Sequence, residues 1–267
     1  MILILATIFF IFGLIIGSFL NVAIYRYHTS KSFGGRSACM SCRNQLRFYE
    51  LVPVFSFLFL RGRCRNCKSK ISFQYILVEL ATGLIFSALF LKFQDLFFIS
   101  NLAFITAYAY YAVMFSLLVM IATYDLKHKI IPDALSLLFG TLAFAGLFFF
   151  SGNNIYSGYY FHMPGLWDFL SGILIALPFA FFWLVSKGAW MGLGDAKLAV
   201  GLGWFLGLSM AISGIVVAFW VGAIVGIFLL LLSKKYGMKS EIPFAPFLVL
   251  GAVLAFIFEL HLFPFFS

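Results

Sequence analysis

Four cysteines in one short stretch have a spacing that predicts metal chemistry. They form two C-x-x-C pairs, at Cys39, Cys42, Cys64 and Cys67. Two such pairs joined by a hairpin are typical of a tetrahedral zinc site, in which each pair supplies two thiolate ligands. Because four thiolates leave no open coordination position, we expect a structural metal and not one that activates water. Two disulfides are the alternative.

Two of the nine acidic residues are poorly explained by a structural role. Asp125 ends an apolar stretch, where a negative charge at a helix C-terminus would oppose the macrodipole, and Asp195 follows MGLG at the start of another. Asp195 could cap its helix, Asp125 could pair with a nearby lysine, and Asp133 is predicted to be a helix cap. Alternatively, Asp125 and Asp195 share a cleft. One ionised carboxylate could then activate water while the other, protonated, polarises a carbonyl, as in aspartic hydrolysis.

The composition predicts the elements that position these residues. The chain has 267 residues, of which 64% are hydrophobic and 10% charged, and a mean hydropathy of +1.07. Its apolar runs are too long for strands and lack a period of two, so the fold class is predicted to be all-α, with helices that cross a membrane. We expect about eight transmembrane helices, at residues 1–24, 74–91, 101–123, 134–150, 168–186, 196–210, 212–232 and 243–263.

This pattern predicts three regions and an orientation. A first transmembrane helix at 1–25 is followed by a small cysteine-containing region at 26–73 and a membrane domain at 74–267. The 26–73 region has ten lysines and arginines against the single acid Glu50, so we expect it, and both aspartates, at the cytosolic face. A reducing cytosol favours zinc over disulfides. Since the basic loops are flanked by spans, we expect membrane lipid and not nucleic acid as their surroundings.

Several segments together resemble the bacterial type IV prepilin peptidases. They are GSFLNVAIYR at 17–26, the two C-x-x-C pairs, LRGRC at 60–64, ISFQYILVELATG at 71–83, DLKHKIIPD at 125–133 and GLGDAK at 192–197. The resemblance covers nearly the whole chain. It implies an eight-helix aspartic protease of the GxGD type in the bacterial inner membrane. Such enzymes cleave the basic leader from prepilins or pseudopilins at the cytosolic face, and most then N-methylate the new terminus with S-adenosylmethionine.

The resemblance also implies roles for individual residues. Asp125 and Asp195 match the catalytic aspartates, and the family's zinc-binding cysteines match Cys39, Cys42, Cys64 and Cys67. No glycine-rich fingerprint marks a cofactor site, so S-adenosylmethionine rests on the resemblance alone. Glu79, near the cytosolic end of the second predicted span, is a candidate for holding the cofactor's ammonium or sulfonium group. An ion pair with Arg26 or Lys70 would explain Glu79 equally well.

Three other functions stay open at this point. An ion-coupled or proton-coupled transporter could use Asp125 and Asp195 on its pathway, although the chain has no evident inverted repeat. A second is a peptidase without methyltransferase activity. A third is a membrane-bound methyltransferase or assembly scaffold in which the protease residues are idle.

Overall fold

The computed structural model describes residues 1–27, 35–150, 161–232 and 242–262, and over these residues it is helical with two isolated β-bridges and no longer strand. This confirms the predicted all-α class. Residues 28–34 of the predicted 26–73 region, and residue 263 of the last predicted span, lie outside the described residues. The α-helices are α1 (Ile2–Arg26), α2 (Phe55–Phe59), α3 (Gln74–Ile99), α4 (Asn101–His128), α5 (Asp133–Phe150), α6 (Leu166–Ser186), α7 (Leu193–Leu206), α8 (Leu208–Leu232) and α9 (Ala245–Phe258).

Each predicted span coincides with one of the eight longer helices. Six of these, α1, α3, α4, α5, α6 and α8, are long and apolar enough to cross a membrane. The remaining two, α7 and α9, have 14 residues each. Such a helix is about 21 Å long, against about 30 Å for the hydrocarbon core of a bilayer. The prediction of a multi-pass membrane protein is therefore confirmed, and two of its helices are shorter than a full span.

The predicted break between the spans 196–210 and 212–232 falls earlier in the structure. Gly207 takes φ +75°, and α7 ends before it while α8 begins at the next residue. Residues with a side chain rarely adopt that backbone angle, so the glycine sets the boundary between α7 and α8.

The chain divides into an N-terminal unit, Met1–Asp95, and a C-terminal unit, Leu96–Ser267. In the N-terminal unit α1 packs closely on α3. Phe9 stacks on Phe90 with ring centroids 4.7 Å apart, and a Cβ added to Gly17 would lie 2.7 Å from the Cα of Glu79. The glycine thus permits a helix contact that a side chain would block. The cysteine-containing region connects these two helices.

Aromatic rings bring α4, α7 and α9 together in the C-terminal unit. Phe115 of α4 lies 5.3 Å from Phe205 of α7 and 5.4 Å from Phe256 of α9, measured between ring centroids. Phe115 is fully buried. Asp125 follows Phe115 by ten residues, and Asp195 precedes Phe205 by ten. Each aspartate is therefore about 15 Å along its helix from the same ring contact.

Candidate active site and metal centre

Asp195 lies in the first turn of α7, where helix geometry favours a carboxylate. The helix begins after the N-cap residue Gly192, which has φ −74° and ψ 148°. The positive end of the helix macrodipole then faces the Asp195 side chain, which is 8% exposed. Gly194 packs against the loop after α4, because a Cβ added there would lie 2.9 Å from the Cβ of Ile131. Gly194 of MGLGDAK thus lets this turn pack closely.

Asp125 lies in the last turn of α4 and has a backbone partner from a distant segment. Its Oδ2 atom accepts a hydrogen bond of 3.2 Å from the backbone N–H of Ala245, the first residue of α9. The side chain is 5% exposed. The N-terminus of α9 therefore supplies the favourable dipole that the C-terminus of α4 cannot. The left-handed residue Lys129 ends α4, and its N–H bonds the Asp125 carbonyl.

The structure brings these two predicted residues together. Both side chains are buried, and the two carboxyl groups are near enough for their charges to interact. Like charges at close range oppose simultaneous ionisation, so the pair is suited to hold one proton between two carboxyl groups. That state provides one base and one acid at the same place.

Ala245 is the residue that the sequence interpretation missed. Pro246 stands in the first turn of α9, and a proline there is a recognisable sign of a helix start. Nothing in the local pattern connects that start to Asp125, which is 120 residues away.

Asp133, which was predicted to be a helix cap, also has a side-chain partner on another helix. It begins α5, and its Oδ1 atom lies 2.7 Å from Nζ of Lys197 on α7. Both side chains are largely exposed, so the pair contributes about 1 kcal/mol at most. It nevertheless joins the first turn of α5 to the helix that carries Asp195.

The four cysteines converge as a tetrahedral metal site requires. Their Sγ atoms all lie within 4.8 Å of one another, and those of Cys39 and Cys67 are 3.7 Å apart. Zinc–sulfur bonds of about 2.3 Å in a tetrahedron give sulfur–sulfur distances of about 3.8 Å. All four are free thiols, so the disulfide alternative is not what the structure contains. The residues therefore fit a zinc ion.

The two cysteine turns are built alike. Cys39 N–H bonds the Asn44 carbonyl and its own carbonyl accepts from Arg43, while Cys64 makes the equivalent bonds with Ser69 and Lys68. Arg43 and Lys68 both have φ +58°. The backbone N–H of Cys42 is the main cause that lowers the pKa of the Cys39 thiol to about 6. Amides that stabilise the thiolate prepare it as a ligand.

Glu79 holds an unusual turn. Its Oε2 atom accepts a 2.7 Å hydrogen bond from the N–H of Val54, and Ser18 of α1 also hydrogen-bonds its carboxylate. Among the described residues, these hydrogen bonds provide the partners of the Glu79 carboxylate, in place of the ion pair with Arg26 or Lys70 that the sequence suggested. Val54 has φ 62° and ψ −52°, and Phe55 N–H bonds the Pro53 carbonyl at 2.6 Å. This is a γ-turn of the rarer hand, strained for a β-branched residue.

Similar proteins are known. Residues 11–93 match the bacterial Peptidase A24 N-terminal domain, and residues 112–229 match the type IV leader peptidase family. A Bacillus subtilis (strain 168) protein named prepilin leader peptidase/N-methyltransferase is 32% identical over 254 residues, covering 94% of each chain. Relatives of the same name from Myxococcus xanthus (strain DK1622) and Aeromonas hydrophila are 35% and 31% identical, over 88% and 92% of this chain and 66% and 88% of their own. No solved structure gives a significant match.

Proposed function

The chain belongs to the type IV leader peptidase family, and on that premise we propose that it cleaves the basic leader from type IV prepilins or pseudopilins. The observation that carries the proposal is the buried pair of carboxylates: Asp195 lies in the first turn of α7, and Asp125 accepts a hydrogen bond from the first residue of α9. The printed names of the relatives support the substrate class.

The proposed mechanism divides two roles between the aspartates. Asp125, which accepts a hydrogen bond from the N–H of Ala245, is the ionised base. It takes a proton from a water molecule while the oxygen of that water attacks the scissile carbonyl carbon. Protonated Asp195 gives its proton to the carbonyl oxygen, which forms a diol. As the C–N bond breaks, the leaving amine takes the proton from Asp125, and Asp195 recovers one from the diol.

The proposed location is the bacterial inner membrane with the active site at the cytosolic face. The concentration of lysine and arginine in 26–73 supports this orientation, because such loops stay in the cytosol. In the same proposal, the four cysteines hold structural zinc, which would stabilise a domain too small to fold alone.

The second proposed activity is N-methylation of the newly exposed terminus with S-adenosylmethionine. The relatives' names and the match to the family's N-terminal domain support it. An α-amine has a pKa near 7.7–8.0, so transfer needs mainly positioning and no strong base. Glu79 is the proposed contact to the cofactor, although its carboxylate already accepts the N–H of Val54.

Co-expression with a candidate prepilin and intact mass measurement of the product test this proposal. Wild-type enzyme should remove the leader and add about 14 Da for one methyl group. Asp125→Asn and Asp195→Asn should each reduce cleavage by about 10²–10⁴-fold or more, because the amide keeps the shape but removes the acid or base. Asp133→Asn is the matched control, since this acid is exposed.

The possible masses separate the candidate functions. Near-normal cleavage by either amide variant would reject the aspartic mechanism. An uncleaved product from wild-type enzyme would favour the transporter alternative, and a cleaved but unmethylated product would leave a peptidase alone.

A further inference from the structure

A cavity in the cysteine-containing region is lined by neither Asp125 nor Asp195. Its volume is about 530 Å³, and it lies between the short helix Phe48–Leu51 and α2. Its lining is mostly apolar, with Val52, Phe55 and Phe59 among its walls. Glu50 and Arg65 are the charged residues that line it. The ligand that fits this lining has a large apolar part and a charged group.

Two guanidinium groups meet beside this cavity. Arg65 and Arg47 both donate hydrogen bonds to the hydroxyl of Tyr49, the latter at 3.2 Å. Arg65 also lies 5.7 Å from the centre of the Tyr49 ring. A neutral phenol accepts both donors but cancels neither charge. The only acid of the region, Glu50, accepts the backbone N–H of Arg47 at 2.8 Å. The excess of positive charge here is complementary to an anion.

Large apolar side chains around the cavity are exposed. Phe48 is 84% exposed, Phe55 56% and Phe59 85%. Exposed apolar side chains of this size, close together in the sequence, favour an interaction surface. Phenylalanine side chains next to basic residues are typical of segments that lie at the boundary between membrane and water.

The turn at Val54 fixes this surface to the end of a membrane span. Val54 separates Val52 from Phe55, and its N–H donates to Glu79 in the second turn of α3. Since α3 is one of the candidate spans, its first turns lie close to the bilayer surface. In a bilayer, this contact would therefore hold the cavity near the level of the lipid headgroups.

We propose that this cavity binds an anionic phospholipid of the surrounding bilayer. The phosphate lies between Arg47 and Arg65, and the apolar part of the lipid lies against Val52, Phe55 and Phe59. The same arginines would repel a basic leader peptide, so the charge favours lipid over substrate. This lipid site is independent of the carboxylate pair.

The test uses the full chain in nanodiscs of phosphatidylglycerol and phosphatidylcholine. The photoreactive residue p-benzoylphenylalanine replaces Phe59, and after irradiation intact mass identifies the lipid attached. We expect phosphatidylglycerol adducts in excess of its share of the bilayer. The matched control places the same residue at Met40, which is exposed in this region but does not line the cavity, and should give few adducts.

Arginine variants then test the assigned contacts. One arginine near an anionic surface changes affinity by about fivefold, so Arg47→Gln and Arg65→Gln should each lower the preference for phosphatidylglycerol by about that factor. Arg36→Gln is the control. Arg65 lies between two of the proposed zinc ligands, so the zinc content is measured in parallel. If Arg65→Gln loses zinc, the lipid preference of Arg47→Gln alone tests the assigned contacts.

Four outcomes would overturn the lipid site. Adducts in proportion to bulk lipid, unchanged by Arg47→Gln, would mean that the cavity does not select an anion. Loss of the lipid adduct on adding inorganic phosphate alone would mean that the site takes free phosphate. Loss on adding S-adenosylmethionine, or adducts with co-expressed prepilin in place of lipid, would assign the cavity to the cofactor or the substrate.

Discussion

Gly194→Ala should impair cleavage strongly while leaving both aspartates in place. The substitution adds one methyl group in the first turn of α7, directly before Asp195. Its Cβ would lie 2.9 Å from the Cβ of Ile131, whereas carbon atoms in ordinary contact are about 3.5–4.0 Å apart. The turn and the loop must therefore separate by about 0.6–1.1 Å.

The size of the effect follows from this displacement. A misplacement of about 1 Å in a catalytic group costs about 100-fold in rate, which is about 2.7 kcal/mol of activation free energy. Stability should change less. Overpacking costs about 1–3 kcal/mol, but alanine is about 1 kcal/mol better than glycine within a helix. The loss of transition-state stabilisation, measured from the cleavage rate, should therefore be larger than the loss in the free energy of unfolding.

Gly192→Ala is the matched control, two residues away in the same motif. Its added Cβ would lie 3.7 Å from Oδ2 of Asp195, which is an ordinary contact, and its φ of −74° suits alanine. The assay compares cleavage rates of a purified prepilin in nanodiscs, with thermal unfolding measured on the same samples. A Gly194→Ala rate within about threefold of wild type, or an equal loss in Gly192→Ala, would refute the reasoning.

Two further predictions concern the N-terminal unit. Cys67→Ser removes one of the four thiolates, so metal analysis of the reduced protein should find less than the one zinc ion per chain expected of wild type. The control Met40→Leu, between the first two cysteines, should keep the full zinc content. A wild-type protein without zinc would reject the site. Glu79→Gln keeps an oxygen that can accept the Val54 N–H but removes the charge, so the intact product mass should show less methylation with unchanged cleavage; equal methylation would end the cofactor role.

Local patterns in the sequence predicted the helices and the clustered cysteines. Long apolar runs located the eight longer helices in the part of the chain that the structure describes, and the C-x-x-C spacing identified four thiols that do converge. The family matches confirm the resemblance and the prediction of a membrane peptidase. The catalytic roles of Asp125 and Asp195, and the boundaries of the three predicted regions, stay predictions.

Contacts between distant segments were beyond the sequence. The bond from Ala245 to Asp125 and the pair of Lys197 with Asp133 join residues from different helices, so no local periodicity encodes them. Asp133 was predicted to be a cap because proline precedes it, and the structure gives it a cation on α7 as well. The strained turn at Val54 depends on Glu79, 25 residues later, so the sequence around Val54 does not predict it either.

The shortness of α7 and α9 has a consequence for water. Both helices fall about 9 Å short of the hydrocarbon thickness, and both begin at the carboxylate pair. A bilayer can become thinner around such short helices, or the protein can have a water-filled cavity where irregular backbone faces solvent. Hydrolysis consumes a water molecule for every bond cut. We therefore expect the roughly six residues that each helix lacks to leave a shallow recess, in which a substrate still embedded in lipid can meet that water.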